Sequence, residues 1–270
     1  MPEGDTIFRA AARLRPVLAG KELLRFEAPR LLGDRPKAGT RIDAVEAVGK
    51  HLLVHFDGGL TLETHMRMTG SWHIYRTGER WRKGAHLMRC RLDVEGWVAV
   101  CFAAPVVRTY RPAQPGGALG RGTDPTAHLG PDLVRAGFDD DDVATCVARM
   151  TTHVDPATSI AEVLLDQRVA CGVGNVYKSE TLFACAVDPF APVGAVDEPT
   201  RRRLIETASK QLRANLGRSQ RETVPGGLAV YGRQRQPCLR CGTPIRVQRH
   251  GTHARSTYWC PVCQPAAGIV

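Results

Sequence analysis

The sequence predicts an α+β protein, in which a leading helix and an N-terminal β-sandwich or barrel precede a helical domain and a small C-terminal hairpin. Apolar residues recur at helical spacing over residues 5–18, and short strand-like segments follow from about residue 24 to residue 104. Helical periodicity then returns through about residue 215. With 270 residues, 43% of them hydrophobic, the chain has enough apolar material for one large or two medium domains.

The N-terminal helix and the strands are predicted from local patterns. Ile7, Phe8, Ala11, Leu14 and Leu18 mark one apolar face of the helix, and Asp5 is expected to cap its start. The strand-like segments are RIDAVEAV, HLLVHF, LTLETHM, SWHIY, HLMRCRLDV and WVAVCFA. Turn signals such as Asp57-Gly58-Gly59 separate them, which is typical of antiparallel β structure.

The domain limits follow from a Gly- and Pro-rich stretch at 111–131, which predicts a hinge or linker. We expect an N-terminal domain at 2–112, a linker at 113–131, a helical domain at 132–222 and a C-terminal hairpin at 229–266. Within the helical domain, the predicted helices lie near 139–150, 159–169, 175–186 and 198–216.

The charge of the chain is concentrated at one end. The formal net charge is +10, and residues 201–270 alone hold 13 basic and 2 acidic side chains. This asymmetry predicts a polyanion-binding region in the C-terminal part. A basic surface without any partner is the alternative that charge alone leaves open.

Two observations exclude a membrane or secretory protein at the level of sequence. No run of about 18 apolar residues occurs. The N-terminus, MPEGDTIFRAAARLRP, has an acid at position 3 and lacks a long apolar stretch typical of a signal peptide. We therefore expect a cytoplasmic monomer without a membrane partner.

The nine cysteines fall into two groups. Five are scattered in apolar segments and are interpreted as small core residues; they are Cys90, Cys101, Cys146, Cys171 and Cys185. The other four form two CxxC pairs, Cys238 with Cys241 and Cys260 with Cys263, separated by 18 residues. This spacing is typical of a zinc ribbon, in which one structural Zn²⁺ per chain is held by four thiolates on a β-hairpin. His250 and His253 are alternative ligands, but two complete pairs leave no vacancy.

The first residues have a chemistry of their own. A small residue such as Pro2 lets the initiator Met1 be removed, which exposes a secondary amine. An α-amino group has a pKa of about 7.7–8.0, so much of it is unprotonated near neutral pH and able to form an imine. Glu3 beside it could donate or shuttle a proton. An ordinary helix start with favourably placed acids is the alternative.

Five motifs occur in an order that resembles one family. They are MPEGD at the start, VGKHLLVHF at 48–56, LLDQRVACGVGNVYKSETLF at 164–183, VYGRQRQPC at 230–238 and ARSTYWCPVCQ at 254–264. Together they resemble the bacterial formamidopyrimidine-DNA glycosylase and endonuclease VIII family from residue 2 to about residue 264. The PEG opening and the finger ending YWCPVCQ are more similar to the endonuclease VIII branch.

The resemblance implies a bifunctional DNA glycosylase and abasic-site lyase with a β-sandwich, a helix–two-turn–helix motif and a zinc finger. Pro2 matches the nucleophile that attacks the sugar C1′, and Glu3 matches the proton donor that helps release the base. Lys50 matches a lysine used in strand cleavage and phosphate contact. Arg255 matches the finger arginine that reaches the lesion phosphate. The expected reaction is excision of oxidised bases, pyrimidines in particular, followed by β,δ-elimination.

The resemblance also implies a DNA-binding set, and its expected partner is damaged DNA. Asn175 matches a phosphate ligand at the start of a helix, and His128 aligns with a DNA-contacting basic residue. Arg67, Met68 and Thr69 fall where endonuclease VIII carries the residues that fill the space left by a flipped base. A solvated lysine at position 50 and a hairpin tip with Met68 in the core are the alternative interpretations.

One position departs from the family pattern, and two other functions stay open. Many members have an acid where this chain has Thr6. A non-catalytic zinc-ribbon DNA-binding protein would explain the charge, the cysteines and the glycine turn within ACGVGN at 170–175, but not the MPEG start. A formamidopyrimidine-DNA glycosylase acting on purine lesions differs only in substrate. Blocking the N-terminal amine separates the enzyme from the binding protein.

Overall fold

The computed structural model describes residues 2–111 and 124–266, and the chain divides into two compact units, residues 1–128 and 129–270. Residues 113–123 of the predicted linker lie outside the described residues, so the predicted domain limits stay predictions. Among the described residues, no helix is long and apolar enough to cross a membrane.

The first unit is the predicted β-sandwich. Its strands are β1 Arg25–Glu27, β2 Ile42–Val48, β3 His51–Phe56, β4 Thr61–His65, β5 Ser71–Arg76, β6 Met88–Val94, β7 Trp97–Phe102 and β8 Val106–Tyr110. They form two antiparallel four-stranded sheets in the orders β1-β6-β7-β5 and β2-β3-β4-β8. All six strand-like segments of the sequence therefore correspond to strands.

The leading helix, α1, spans Gly4–Leu18 and packs against β2 and β3. Ile7, Ala11 and Leu14 on its apolar face are almost completely buried in one core with residues of both sheets. The expectation that Asp5 caps this helix is wrong. Glu3 is the N-cap residue, and Asp5 lies inside the first turn, where a negative charge favours the helix dipole.

Two strands were not among the predicted segments. β1 has only three residues, too few for an alternating pattern to emerge. β8 has the sequence VVRTY, which is rich in β-branched and aromatic residues, but it lies directly before the Gly- and Pro-rich stretch. Its pairing with β4 over Thr61–His65 is a long-range contact that local composition does not reveal.

The second unit combines helices with the C-terminal hairpin. Its elements are α2 Asp140–Thr152, α3 Ile160–Val163, α4 Asn175–Ala184, α5 Glu198–Ala214, β9 Arg246–His250 and β10 Arg255–Trp259. Asp139 and Asp142 form a capping box at α2, and the Asp197 side chain accepts a hydrogen bond from the Thr200 N–H at α5. Antiparallel pairing of β9 with β10 confirms the predicted hairpin.

The helix predicted at 159–169 is shorter than expected, because the N–H groups of Leu165, Asp166 and Val169 bond carbonyls three residues back and the N–H of Arg168 bonds a side chain. The Asp166 carboxylate accepts from the Arg168 N–H at 2.9 Å. The Gln167 amide donates to the Leu165 carbonyl at 2.8 Å and accepts from the Gly172 N–H at 3.1 Å. Two turns therefore lead into α4, as in a helix–two-turn–helix motif.

A buried carboxylate on α4 organises the segment that precedes the hairpin. Glu180 is 1% exposed and accepts hydrogen bonds from the backbone N–H groups of Ala229, Val230 and Tyr231 at 2.7–2.9 Å. The Thr223 hydroxyl donates to the same carboxylate. One side chain thus satisfies four donors that would otherwise lack these partners.

We predict that Glu180→Gln lowers the free energy of unfolding by about 3 kcal/mol, because a neutral amide places an N–H group among donors. Denaturant unfolding at pH 7 is the measurement. Glu206→Gln on α5 removes the same charge from an exposed side chain and should cost less than about 0.5 kcal/mol. Equal costs for the two variants would show that Glu180 does not organise this segment.

Candidate active site and nucleic-acid interface

The N-terminus of the described chain places Pro2, whose nitrogen becomes a secondary amine when Met1 is removed, beside a buried carboxyl group. Pro2 is partly exposed, and Glu3 is completely buried at the N-cap of α1. The backbone carbonyl of Glu3 accepts from the N–H groups of Thr6 at 2.9 Å and Ile7 at 3.1 Å. These bonds fix the start of the helix. Glu3 and its neighbour Pro2 therefore have ordered backbone positions at the end of a regular helix.

A second buried carboxylate follows in the same turn. Asp5 is completely buried, accepts a hydrogen bond from the Thr6 hydroxyl at 3.2 Å and lies 3.7 Å from the Arg9 guanidinium. The hydroxyl of Thr6 thus supports the carboxylate of its neighbour, and the first turn holds an acidic group in a fixed position.

Lys50 lies in the turn between β2 and β3, above a buried charge network. Its neighbour His51 contacts the completely buried carboxylate of Glu63 through Nδ1 at 2.6 Å, and Arg108 donates to the same carboxylate. Burial opposes ionisation of Glu63, but the hydrogen bonds from His51 and Arg108 lower its pKa. The network therefore holds this strand end in a fixed position.

His65 faces His51 across the strand pair, with the ring centroids 4.9 Å apart. Burial lowers the pKa of His65 to about 4, and the positive charges of His51, Lys50 and Arg67 contribute. His65 is thus neutral near pH 7, which lets its Nδ1 accept the Arg67 N–H at 3.2 Å. Positive charge accumulates at this end of the sheet, as a phosphate-binding surface requires.

The predicted void-filling residues form the tip between β4 and β5, which we call the Met68 turn (residues 66–70). Arg67 adopts a left-handed conformation with φ of 44°, and the Thr69 hydroxyl donates to the Ala103 carbonyl at 3.0 Å. Met66 is buried, whereas the Met68 side chain is 69% exposed. The interpretation that places Met68 in the core is therefore wrong, and an apolar side chain projects from an anchored turn.

His128 is exposed in a turn at residues 125–128. Its DNA contact stays a prediction. Cys90 and the other four scattered cysteines are buried and take part in no disulfide, which confirms their interpretation as core residues.

In the second unit, α4 begins at Asn175, which is 7% exposed and follows Gly174 as the N-cap. Lys178, one turn later, is not a surface residue, since it is only 1% exposed. Its ammonium group donates to Asn175 Oδ1 at 3.2 Å, to the Ser256 carbonyl at 3.0 Å and to Thr257 Oγ1 at 2.8 Å. The predicted phosphate ligand and strand β10 are therefore joined through one buried cation. Only tertiary structure reveals this link, because Ser256 and Thr257 lie about 80 positions away in the sequence.

Arg255 is the first residue of β10 and is exposed opposite His250 in the hairpin register. The tip before it is held by Glu162, which accepts from the Thr252 N–H at 2.9 Å and from the Ser159 hydroxyl at 3.1 Å. Burial opposes ionisation of Glu162, but these hydrogen bonds lower its pKa. The guanidinium of Arg255 thus extends from a turn that is anchored to α3.

The four cysteines of the two CxxC pairs come together as predicted, with their sulfur atoms within 4.8 Å of one another. Cys238 Sγ lies 3.8 Å from Cys263 Sγ, and Cys241 Sγ lies 3.5 Å from Cys260 Sγ. Four Zn–S bonds of about 2.3 Å in a tetrahedron place sulfurs about 3.8 Å apart, so this donor set fits one Zn²⁺. No protein ligand beyond these four is needed, and the site is structural.

The pKa values of the cysteine thiols are shifted in opposite directions. Hydrogen bonds with Thr243 lower the pKa of Cys241 to about 6. Burial and the neighbouring sulfurs raise the pKa of Cys263 to about 12. A coordinated thiol is deprotonated outright, so Zn²⁺ would stabilise four thiolates that cannot all ionise together on their own.

Comparison with known proteins identifies the family. The formamidopyrimidine-DNA glycosylase N-terminal domain matches residues 1–105, the formamidopyrimidine-DNA glycosylase H2TH domain matches 129–224, and the zinc finger found in FPG and IleRS matches 235–266. "Probable endonuclease 8 2" of Streptomyces coelicolor is 43% identical over 272 residues, which cover 98% of this chain and 94% of that protein. The chain belongs to the formamidopyrimidine-DNA glycosylase and endonuclease VIII family.

Further relatives place it in the endonuclease VIII branch, as the opening and the finger motif predict. "DNA-(apurinic or apyrimidinic site) lyase Nei2" of Mycolicibacterium smegmatis is 37% identical, with 99% of this chain and 100% of that protein covered. The crystal structure of MutM (Fpg) from Thermus thermophilus has a TM-score of 0.75 at 27% identity, over 97% of this chain and 98% of the other. Lactococcus lactis Fpg bound to DNA with an AP site shares the fold, with a TM-score of 0.77 at 18% identity, over 98% of this chain and 100% of the other.

We predict one zinc per purified chain, measured by metal analysis, because the hairpin has too little apolar core to fold without it. Cys260→Ala should lose the metal, make the hairpin sensitive to protease and weaken DNA binding. Cys146→Ala, which removes a buried sulfur from α2, should keep the metal. Full DNA affinity in a protein that holds no zinc would contradict a structural role.

Proposed function

We propose that the protein is a base-excision-repair enzyme, a DNA glycosylase with abasic-site lyase activity that excises oxidised bases, pyrimidines in particular. The observation that carries this proposal is the partly exposed Pro2 beside the buried Glu3, at the start of a chain that matches the family over almost its full length. A zinc-ribbon protein that only binds DNA has no use for this arrangement.

DNA is the partner that the relatives support. The Mycolicibacterium smegmatis relative is named for lyase activity at abasic sites, and the Lactococcus lactis structures hold DNA with an AP site or an oxidised pyrimidine. The net charge of +10 in this chain fits a polyanionic partner. We expect it to act as a monomer on chromosomal DNA in the cytoplasm.

The first chemical step joins the protein to the sugar. After removal of Met1, the Pro2 nitrogen attacks C1′ of the damaged nucleotide, and the C1′–N bond to the base breaks. Glu3 delivers a proton to the departing base or to the ring oxygen of the sugar. Ring opening then leaves an iminium ion between Pro2 and C1′.

The second step cuts the strand. The iminium acidifies the C2′ proton, whose loss breaks the C3′–O bond and releases the phosphate on the 3′ side. A further δ-elimination breaks the C5′–O bond and releases the other phosphate. Lys50, Asn175 and Arg255 are proposed to stabilise these phosphates. Arg255 suits this task because its guanidinium stays charged and grips two oxygens at once.

Access to C1′ requires the damaged nucleotide to leave the base stack, which costs a few kcal/mol. Arg67, Met68 and Thr69 are proposed to fill the vacated space and so offset part of this cost. The exposed Met68 and the anchored Met68 turn support this assignment, because a wedge must be apolar at its end and fixed at its base.

We predict that borohydride traps a covalent complex between the protein and abasic DNA, because it reduces the imine to a stable amine. Pro2→Gly, or a variant that retains Met1, should trap at least tenfold less, since the secondary amine is lost or blocked. Lys50→Gln should still trap, which makes it the control. Gel analysis and peptide mapping of the product are the measurements. A cross-link mapped to Lys50 or to another lysine would show that Pro2 is not the nucleophile.

We predict that Glu3→Gln slows base release by about 10²–10⁴-fold, the usual contribution of a positioned proton donor. A pre-formed abasic site needs no base release, so the same variant should still cut it. Single-turnover assays on both substrates separate the two activities. Base release at the wild-type rate would exclude Glu3 as the donor and leave Asp5 as the next candidate.

We predict that Arg255→Ala weakens binding to lesion DNA and lowers the ratio of δ- to β-elimination products, because the leaving phosphate loses a bidentate partner. Arg249→Ala is the matched control, since Arg249 is an exposed arginine on the other strand of the same hairpin. Gel separation of the products at saturating enzyme gives the ratio. Identical affinity and ratio in the Arg255 and Arg249 variants would limit the hairpin to a structural role.

A further inference from the structure

The segment that joins β5 to β6 is unusually basic for the first unit. Residues 76–91 contain one acid, Glu79, and six basic side chains, namely Arg76, Arg80, Arg82, Lys83, Arg89 and Arg91. Residues 79–87, which we call the Trp81 loop, include three of these cations. The net charge of the whole chain does not reveal this second basic segment, because most of the excess positive charge lies in the C-terminal part.

The cations at the centre of the loop are not neutralised by neighbours. Arg80 and Arg82 are exposed, and neither guanidinium has an ion-pair partner among the described residues. The only acid of the loop, Glu79, accepts a hydrogen bond from the Arg76 backbone N–H at 3.0 Å. By contrast, Arg91 at the end of the segment is paired with Asp93 at 2.7 Å. The charge of Arg80 and Arg82 is therefore available to an external anion.

An anchored tryptophan holds the loop in place. Trp81 packs edge-to-face on Phe102 and lies parallel to Tyr75, with ring centroids 5.6 and 6.4 Å apart. The Tyr75 hydroxyl also accepts the Arg82 backbone N–H at 3.1 Å. Because Trp81 is fixed between them, Arg80 and Arg82 start from ordered backbone positions, which lowers the entropy lost on binding.

The loop is connected to the Met68 turn. The Lys83 ammonium donates to Ser71 Oγ at 2.8 Å, directly after that turn. The Ala103 N–H donates to the Leu87 carbonyl at 2.8 Å, and the Ala103 carbonyl accepts the Thr69 hydroxyl at 3.0 Å. The proposed void-filling residues and the basic loop thus share one hydrogen-bonded surface of the sandwich.

A histidine beneath the loop responds to its positive charge. His73 is hydrogen-bonded to Ser71 and Tyr75 on the same face of β5. Burial lowers the pKa of His73, and the charges of Lys83 and Arg82 lower it further. The charges of Lys83 and Arg82 therefore act on the same face of the sandwich as His73.

We propose that Arg80, Arg82 and Lys83 form a second phosphate-binding surface, which grips the DNA backbone beside the lesion from the sandwich side. This inference rests on the proposed function, since the Met68 turn is assigned to the flipped-out position. Such contacts position the duplex and carry no sequence information. They contribute to affinity and its salt dependence, while the chemistry stays with Pro2 and Glu3.

The test compares two double variants that remove the same charge. Arg80→Gln/Arg82→Gln acts on the unpaired cations and keeps Trp81 and the Arg82 backbone bond. Lys21→Gln/Arg41→Gln is the control, because those side chains lie next to Glu95 and Asp43. Binding to a duplex with an uncleavable abasic-site analogue is measured by fluorescence anisotropy from 50 to 200 mM salt.

In the Arg80/Arg82 variant, the slope of log affinity against log salt should become shallower by about 1–2, or about 0.9 for each phosphate that the variant no longer neutralises. Affinity at 100 mM salt should fall about tenfold. The control should stay within about twofold of the wild type. Cleavage of an abasic-site duplex at saturating enzyme should be unchanged in both variants, because no group that takes part in the chemistry is altered.

Three results would overturn the inference. Equal losses in the two double variants would show that only the overall charge matters. An unchanged salt slope would exclude phosphate binding at the Trp81 loop. A lower cleavage rate at saturation with an unchanged slope would assign the loop to support of the Met68 turn. If instead the wild type neither cuts nor traps abasic DNA, while the two variants still differ in slope, the proposed function fails and the binding surface stands.

Discussion

The buried ammonium group of Lys178 is the interaction on which the second unit depends. A cation that is 1% exposed is tolerated only when its donors are satisfied, and here they contact Asn175, Ser256 and Thr257. Two of these partners belong to strand β10, directly after Arg255. The side chain at the start of α4 and the strand that bears the finger arginine are therefore held as one body.

Other polar groups extend this role along the whole of α4, whose residues Asn175–Phe183 are all buried. Glu180 accepts hydrogen bonds from the backbone N–H groups of residues 229–231. Arg240 of the first zinc knuckle donates to the Phe183 carbonyl at 2.9 Å, and its guanidinium also lies over the Phe183 ring. Phe183 also joins the small apolar core of the finger. The zinc ribbon thus depends on α4 for its position.

Sequence patterns predicted the features that depend on local periodicity or on a fixed spacing between residues. The sandwich strands, the hairpin and the four-cysteine cluster were all predicted in this way. The early end of α3 and the presence of β8 were not, because the Arg168 N–H bonds the Asp166 side chain and because β8 pairs with a distant strand. Burial of Lys178 and anchoring of Trp81 also depend on residues about 80 and 20 positions away, which no short pattern records.

We propose that buried polar bonds to α4 hold the finger in the position in which it binds phosphate. Hydrogen exchange of the zinc-loaded protein tests it most directly, with Lys178→Met compared with the wild type. Loss of the ammonium should speed exchange of the β9–β10 amides by about tenfold or more, while one zinc per chain is retained and affinity for abasic DNA falls. Lys210→Met, at an exposed position on α5, should change neither. Unchanged hairpin exchange and unchanged affinity in Lys178→Met would contradict the account.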